Sequence, residues 1–363
     1  MDVLLIHPSV NIGGGAERVC LNMIESLKDR GHNVTLGTFD KPDWRKVENY
    51  FGKVVLPDAE IVKPRVFGLS AYGELLNFHL LSSSMSKDYD VAVVSTISPW
   101  FYCPTARKVI IYMIPPVDYQ RGLRRLYLKP YIFVQNRFLA RAKHKTILCC
   151  SLFSSRVIKD VYSLNSQVLY PPVDLEHFRP SRKQALVVSV GRFSPFKRFE
   201  VLIRSFVGVD RGKCVIAGSI YRSAESLGYV KKLRNMISKL QLQDRVELLI
   251  DSPSSVLMDL LSKAKVYVHC AVFEHFGISV VEGMASGCVP IVHRSGGTYT
   301  DIIEYDKYGF SFEGTAELAD KISLLLKDDG LCKKFSEEAM RRSRVFSREN
   351  FKKGIADIVE SDF

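Results

Sequence analysis

The chain has 363 residues, 47% of them hydrophobic, with a mean hydropathy near zero and a formal net charge of +12. That length exceeds one ordinary domain and suits two of roughly 150 to 180 residues, and the composition excludes a disordered or fibrous chain. No apolar run reaches the roughly 18 residues that span a bilayer: residues 66–85 are broken by Glu74, Asn77 and His79, and Val3 to Ile6 opens the chain without a basic leader, so neither a membrane span nor a signal peptide is expected.

Strand-like and helical patterns alternate in both halves, which predicts parallel sheets with crossover helices. Val3 to Pro8 reads as a strand leading through Gly13, Gly14 and Gly15 to a helix from Ala16 to Arg30, closed by Gly31. Asn33 to Phe39, Val91 to Thr96, Val109 to Ile114 and Thr146 to Cys150 continue the sheet. The second half restarts at Ala185 to Val190, with a helix near Phe199 to Phe206, a strand at Cys214 to Gly218, a helix from Tyr229 to Leu240, and strands at Arg245 to Ile250 and Val266 to Cys270. Tyr170, Pro171, Pro172, Val173 and Asp174 cannot continue a helix or a central strand and read as the linker. The expected division is therefore an N-terminal domain over 1–172, a second over 173–346, and a closing helix over 347–363 that packs back on the first domain.

Eight cysteines are scattered, mostly in apolar segments, and form no C-x-x-C pair, so they read as reduced core residues. The charge is more informative: Arg121 to Lys145 holds eight Lys or Arg and no acid, whereas the rest of 1–172 is balanced at 14 of each sign. Leu123, Leu126, Tyr127, Tyr131, Ile132, Phe133 and Phe138 interleave with these cations. Such a segment suits an anionic membrane surface, although amphipathic helices with a solvated basic face would read the same way.

Three motifs carry candidate chemistry. Gly14 and Gly15, between the first strand and its helix, let backbone amides approach a diphosphate, or simply make a tight turn; the spacing is not G-x-G-x-x-G. Arg192 and Lys197 follow the second domain's first strand, where two cations could neutralise a departing diphosphate or form a solvated basic loop. The third is Glu274 to Gly287, in which Gly277 puts Glu274 in a loop and Glu282 in a helix. Ser279 and Glu282 match a capping box that would make Glu282 structural, whereas Glu274 has no such local role and suits sugar hydroxyls or a cationic transition state.

Other signals are weaker. Asp88-Tyr89-Asp90 has a D-x-D form but sits at a helix-to-strand junction, Gly208 to Lys213 lacks P-loop spacing, and His7 reads more simply as a packed residue than as a cleft base.

Together, His7-Pro8, Gly13 to Val19, Tyr170 to Asp174, Val190 to Lys197, Glu274 to Pro290, Ser295 to Gly297 and Asp301 to Ile303 resemble the retaining glycosyltransferases of family 4. Within that family the run Glu274 to Gly287 looks most like the α-1,2-mannosyltransferases of dolichol-linked oligosaccharide assembly. The resemblance implies a GT-B α/β fold, two Rossmann-like domains with a cleft between them. It implies transfer of a hexose, mannose above all, from a GDP- or UDP-sugar to a polyprenyl-linked glycan, without a cofactor or metal and with no nucleic acid partner. It further implies that Arg192 and Lys197 hold the donor diphosphate, Glu282 the ribose, Gly277 and Ile278 the sugar and phosphate through amides, and that Glu274 touches the donor sugar. The catalytic set is then Glu274, Lys197 and Arg192. Residence on the cytoplasmic face of a membrane follows from the lipid-linked acceptor. One departure stands out: Tyr112-Met113-Ile114-Pro115-Pro116 lacks the His that many relatives carry there, so no base is assigned in the first domain, with Asp118 the nearest acid.

A nucleotide-sugar epimerase or a phosphorylase would use the same cleft, and a non-catalytic nucleotide-sugar sensor could be built on the same fold. The joint presence of Arg192, Lys197 and Glu274 argues against the sensor.

Overall fold

The computed structural model describes residues 1–67, 89–96, 106–115, 145–220 and 224–361, with 73, 76, 77, 130 and 133 between them. Asp88, Asp118 and the basic stretch Arg121 to Lys145, apart from Pro130, Phe133 and Lys145, lie outside the described residues. The chain divides into two compact units, one formed by Met1–Pro172 with Arg348–Phe363 and the other by Val173–Ser347.

In the first unit, β1 (Asp2–Ile6), β2 (Asn33–Thr38), β3 (Ala59–Val62), β4 (Val91–Thr96), β5 (Lys108–Met113), β6 (Lys145–Cys149) and β7 (Gln167–Val168) form a parallel sheet ordered β3-β2-β1-β4-β5-β6-β7. Val3, Leu4, Leu5 and Ile6 are fully buried, as a central strand covered on both faces must be. After β1 the helix Gly15–Asp29 turns Val19, Cys20, Met23, Ile24 and Leu27 inward. It ends where Gly31 adopts φ +77°, with Gly31 N and His32 N donating to the carbonyls of Lys28 and Leu27. The helix Arg348–Glu360 lies against it: Arg348 Nε donates to Asn22 Oδ1 at 2.8 Å, and Ser26 Oγ donates to Lys352 O at 2.6 Å. Lys108 Nζ donates to Ile358 O, placing a cation at the carboxyl end of that helix where the dipole favours it.

In the second unit, β8 (Gln184–Val190), β9 (Lys213–Gly218), β10 (Val246–Ile250), β11 (Ala264–His269), β12 (Val289–His293) and β13 (Phe310–Phe312) form a parallel sheet ordered β10-β9-β8-β11-β12-β13. The order reverses at β8, which sits between β9 and β11. In open parallel sheets a ligand crevice lies outside the carboxyl ends of the strands at this switch point, here after Val190 and His269. The chain enters the unit at Val173, whose amide donates to Phe346 O at 3.1 Å beside the point where it leaves. Both units are doubly wound α/β sheets, the fold class implied by the sequence.

The seven described cysteines are all buried. No helix among the described residues is long and apolar enough to cross a membrane.

Candidate functional site

Around the carboxyl ends of β8, β9 and β11 the packing leaves room only for glycine at two positions, Gly218 and Gly283. A Cβ on Gly218 would sit 1.8 Å from Gly191 O, so the ends of β8 and β9 are pressed backbone to backbone. Beyond Gly191 the chain exposes Arg192, buries Phe193 and makes a short 3-10 turn, Pro195–Lys197. The stem of Lys197 folds back so that a Cβ on Gly191 would lie 3.4 Å from it.

On β11, Tyr267 is fully buried; its hydroxyl donates to Val190 O at 3.1 Å and accepts from Val190 N at 3.3 Å, pinning the last residue of β8. The ring leaves no room for a Cβ on Gly283, which would lie 2.7 Å away. His269 ends the strand, buried at 2% exposure.

Past His269 the backbone takes an unusual path. Phe273, exposed and not a glycine, has φ +56°, a conformation that costs on the order of 1 to 3 kcal/mol unless its surroundings fix it. Here Phe273 N donates to Ser295 Oγ at 2.9 Å, and Ser295 Oγ in turn meets His293 Nδ1 at 2.8 Å. Burial, then Arg198, lower the His293 pKa, which suits an imidazole accepting the Ser295 proton. Gly297 N donates to Glu274 O at 2.7 Å, and Gly296, at φ +75°, lies against the Glu274 backbone. The loop Ser295 to Gly297 thus holds Glu274 by its main chain, a role that no spacing in the sequence announces.

The outcome is a close cluster. Lys197 Nζ donates to Glu274 Oε2 at 2.5 Å, and His269 Nε2 lies 3.3 Å from the same oxygen. Both partners converge on Oε2; among the described residues Oε1 has none. Burial works against the Glu274 charge, but the Lys197 cation outweighs it and holds the carboxyl well below the usual carboxylate range. The burial of His269 and the nearby Lys197 cation keep its imidazole neutral against the pull of Glu274. Next in sequence, His275 is pushed down to about 4, chiefly by burial.

Two sequence expectations are corrected here. Lys197 is not an unpaired cation of a basic loop, because Glu274 neutralises it. The capping box is also absent: the helix is Ile278–Ala285 with Gly277 at its N-cap, φ +100°, and Ser279 Oγ donates to Val190 O at 3.3 Å. Glu282 therefore lies mid-helix and needs another reason for its place. Gly277 is required where it stands, since a Cβ would meet Thr298 Cγ2 at 2.7 Å in a left-handed backbone; no side chain caps the helix that opens at Ile278.

Gly14 and Gly15 lie in the first unit, as the N-cap and first residue of the helix Gly15–Asp29. Packing accounts for two of the three glycines: a Cβ would lie 2.8 Å from the Tyr50 ring at Gly13, and 2.6 Å from Glu17 Oε2 at Gly14. His7 is buried, with Nδ1 2.6 Å from Ser95 O and Nε2 3.8 Å from Glu17 Oε1. Asp90 accepts from Asp2 N at 3.1 Å, a role at the start of β1, and no described cluster of His, Cys, Asp or Glu is arranged to hold a metal.

Two family models match the chain: Glycosyltransferase Family 4 over residues 13–177 and Glycosyl transferases group 1 over residues 174–342. The second spans Arg192, Lys197, Glu274 and Glu282. Among characterised relatives, the Dictyostelium discoideum GDP-Man:Man(3)GlcNAc(2)-PP-Dol α-1,2-mannosyltransferase is 27% identical over 97% of this chain and 83% of its own length. The human enzyme of the same name is 33% identical, over 44% of this chain and 36% of its own length. Among solved structures, Anabaena HepE in complex with UDP aligns at a TM-score of 0.79 with 19% identity, covering 99% of this chain and 100% of that one. Sucrose-phosphate synthase from Thermosynechococcus elongatus aligns at 0.78 with 17% identity, covering 99% and 98%.

Proposed function

The chain belongs to the group 1, family 4 glycosyltransferases, and we propose that it is a retaining enzyme that moves a mannose from GDP-mannose to a polyprenyl-linked glycan. The observation that carries this reading is the meeting of Lys197 and Glu274 at the carboxyl ends of β8 and β11. A cation for a departing diphosphate and a carboxylate for the sugar stand side by side there. The likeness to GDP-mannose-dependent relatives supports the choice of sugar.

In this reading Arg192 and Lys197 bear on the diphosphate, where fixed charges stabilise the departing group more strongly than water does. The amides at Gly277 and Ile278 donate to phosphate or sugar oxygens, and Glu282 accepts hydrogen bonds from the ribose hydroxyls. Amides at Gly14 and Gly15 also act on the donor phosphates. Glu274 keeps Oε2 for the protein and offers Oε1 to a hydroxyl of the sugar. As the glycosidic bond breaks, the leaving phosphate takes the acceptor's proton on the same face, so the anomeric configuration is retained without a covalent enzyme intermediate. No metal is required. The basic, aromatic segment Arg121 to Lys145 brings the enzyme to the cytoplasmic face of a membrane holding the acceptor.

Thermal unfolding in the presence of GDP, UDP, GDP-mannose and UDP-glucose tests the donor assignment, since a ligand that binds only the native state raises the midpoint with its affinity. GDP-mannose is expected to raise it most. A midpoint raised by UDP-glucose alone would replace mannose by another sugar, and none raised at all would refute nucleotide-sugar binding.

A further inference from the structure

We propose that His269 is a positioning residue that takes over the Glu274 carboxylate when Lys197 turns to the diphosphate of a bound donor. The proposal rests on the reading of Lys197 as a phosphate-binding group. In the present arrangement one oxygen, Glu274 Oε2, holds both Lys197 Nζ and the approach of His269 Nε2. The His269 side chain is 3% exposed, and its Nε2 makes no formed hydrogen bond. A buried polar atom left in that state calls for an explanation, because its desolvation goes uncompensated. The oxygen 3.3 Å from it is the one that Lys197 occupies.

The exchange follows from the charges. Lys197, on the turn after β8, disfavours a proton on His269, whereas Glu274 favours one; these are the charged side chains that act on it. Once Nζ moves to phosphate, Glu274 loses its main counter-charge while still largely buried. His269 then takes a proton from solvent and donates a charge-assisted hydrogen bond to Oε2. An imidazolium replaces the ammonium, the carboxylate stays ionised, and Oε1 keeps its direction. The backbone clamp of Ser295 to Gly297 fixes where Glu274 starts; His269 fixes where its carboxylate points during transfer.

The test uses the full chain with 13C,15N-labelled histidine, followed by NMR from pH 5 to 9. In the free protein His269 is expected to stay neutral well below the ordinary histidine range. Lys197→Gln, and separately saturation of the unaltered protein with GDP-mannose, should each move its titration upward by about one pH unit or more. His269→Asn should leave the donor KM within about twofold while lowering kcat roughly tenfold and removing the acidic limb of the pH profile, a split that a loss of folding would not produce. An unchanged His269 titration in Lys197→Gln overturns the proposal outright. Binding of GDP-mannose with no change at His269 overturns the exchange but leaves the donor reading intact. If neither GDP-mannose nor UDP-glucose binds while Lys197→Gln does shift His269, it is the donor reading that has failed, and the exchange falls with it.

Discussion

Gly296 lies so close to Glu274 that a Cβ there would sit 2.4 Å from the Glu274 carbonyl oxygen and 2.7 Å from its amide nitrogen. Gly296→Ala would also meet a strained backbone at φ +75°, a cost on the order of 1 to 3 kcal/mol before any clash. The chain can relieve the clash by moving Glu274 or the Ser295 to Gly297 loop that holds it, and either displaces the carboxylate. Transfer should therefore fall by more than the loss of melting temperature accounts for, and assays well below the midpoint check it. Full activity in a folded Gly296→Ala protein would show that the placement of Glu274 is not critical.

Removing the charges themselves gives a second set of outcomes. Lys197→Ala and Arg192→Ala should each lower turnover at least a hundredfold, since one preorganised charge contact contributes on the order of 3 kcal/mol. Glu274→Gln should abolish most transfer yet leave nucleotide diphosphate affinity undiminished, because Lys197 is then released to the phosphate. Calorimetry with GDP separates the two cases; weaker GDP binding in Glu274→Gln would place the carboxylate on the nucleotide instead.

The sequence made the α/β alternation readable, and nearly every strand it announced lies within two residues of its expected ends. Val289–His293 escaped because Pro290 cannot donate to a sheet and argues against a central strand. Gln167–Val168 and Phe310–Phe312 are too short to show a period. At the site, Glu274 and Lys197 could be named from residue type and place, but not their pairing, since 77 residues separate them. His269 was hidden inside an apolar run that reads as core. Ser279 illustrates the opposite error: a local capping pattern lost to a tertiary contact with Val190.

His275 contributes to the pH dependence of stability. Its folded value is pushed down to about 4 from 6.5, mainly by burial, so the unfolded chain takes up a proton first. Stability present above about pH 6.5 should thus be lost as the pH falls towards 4, by about 3 kcal/mol at most. Urea unfolding at pH 7 and pH 5 should show a smaller difference in His275→Asn than in the unaltered chain. Equal differences would remove His275 from the account.

For the segment Arg121 to Lys145, flotation with anionic and neutral liposomes is the direct check. Binding to anionic vesicles is expected, at roughly 1 kcal/mol per engaged cation and weakened by salt. Reversing Arg124, Arg125 and Lys129 to Glu should abolish it. Equal, negligible binding to both vesicle types would refute a membrane role.

The central claim is retaining transfer from a nucleotide sugar, and the anomeric configuration of the product tests it most directly. Incubation of the protein with GDP-mannose and a polyprenyl diphosphate-linked oligosaccharide, in excess EDTA, should yield a new α-mannosyl linkage by NMR, together with free GDP. A β-linked product, or transfer that stops with EDTA and returns with magnesium or manganese, would contradict the mechanism proposed for Lys197 and Glu274.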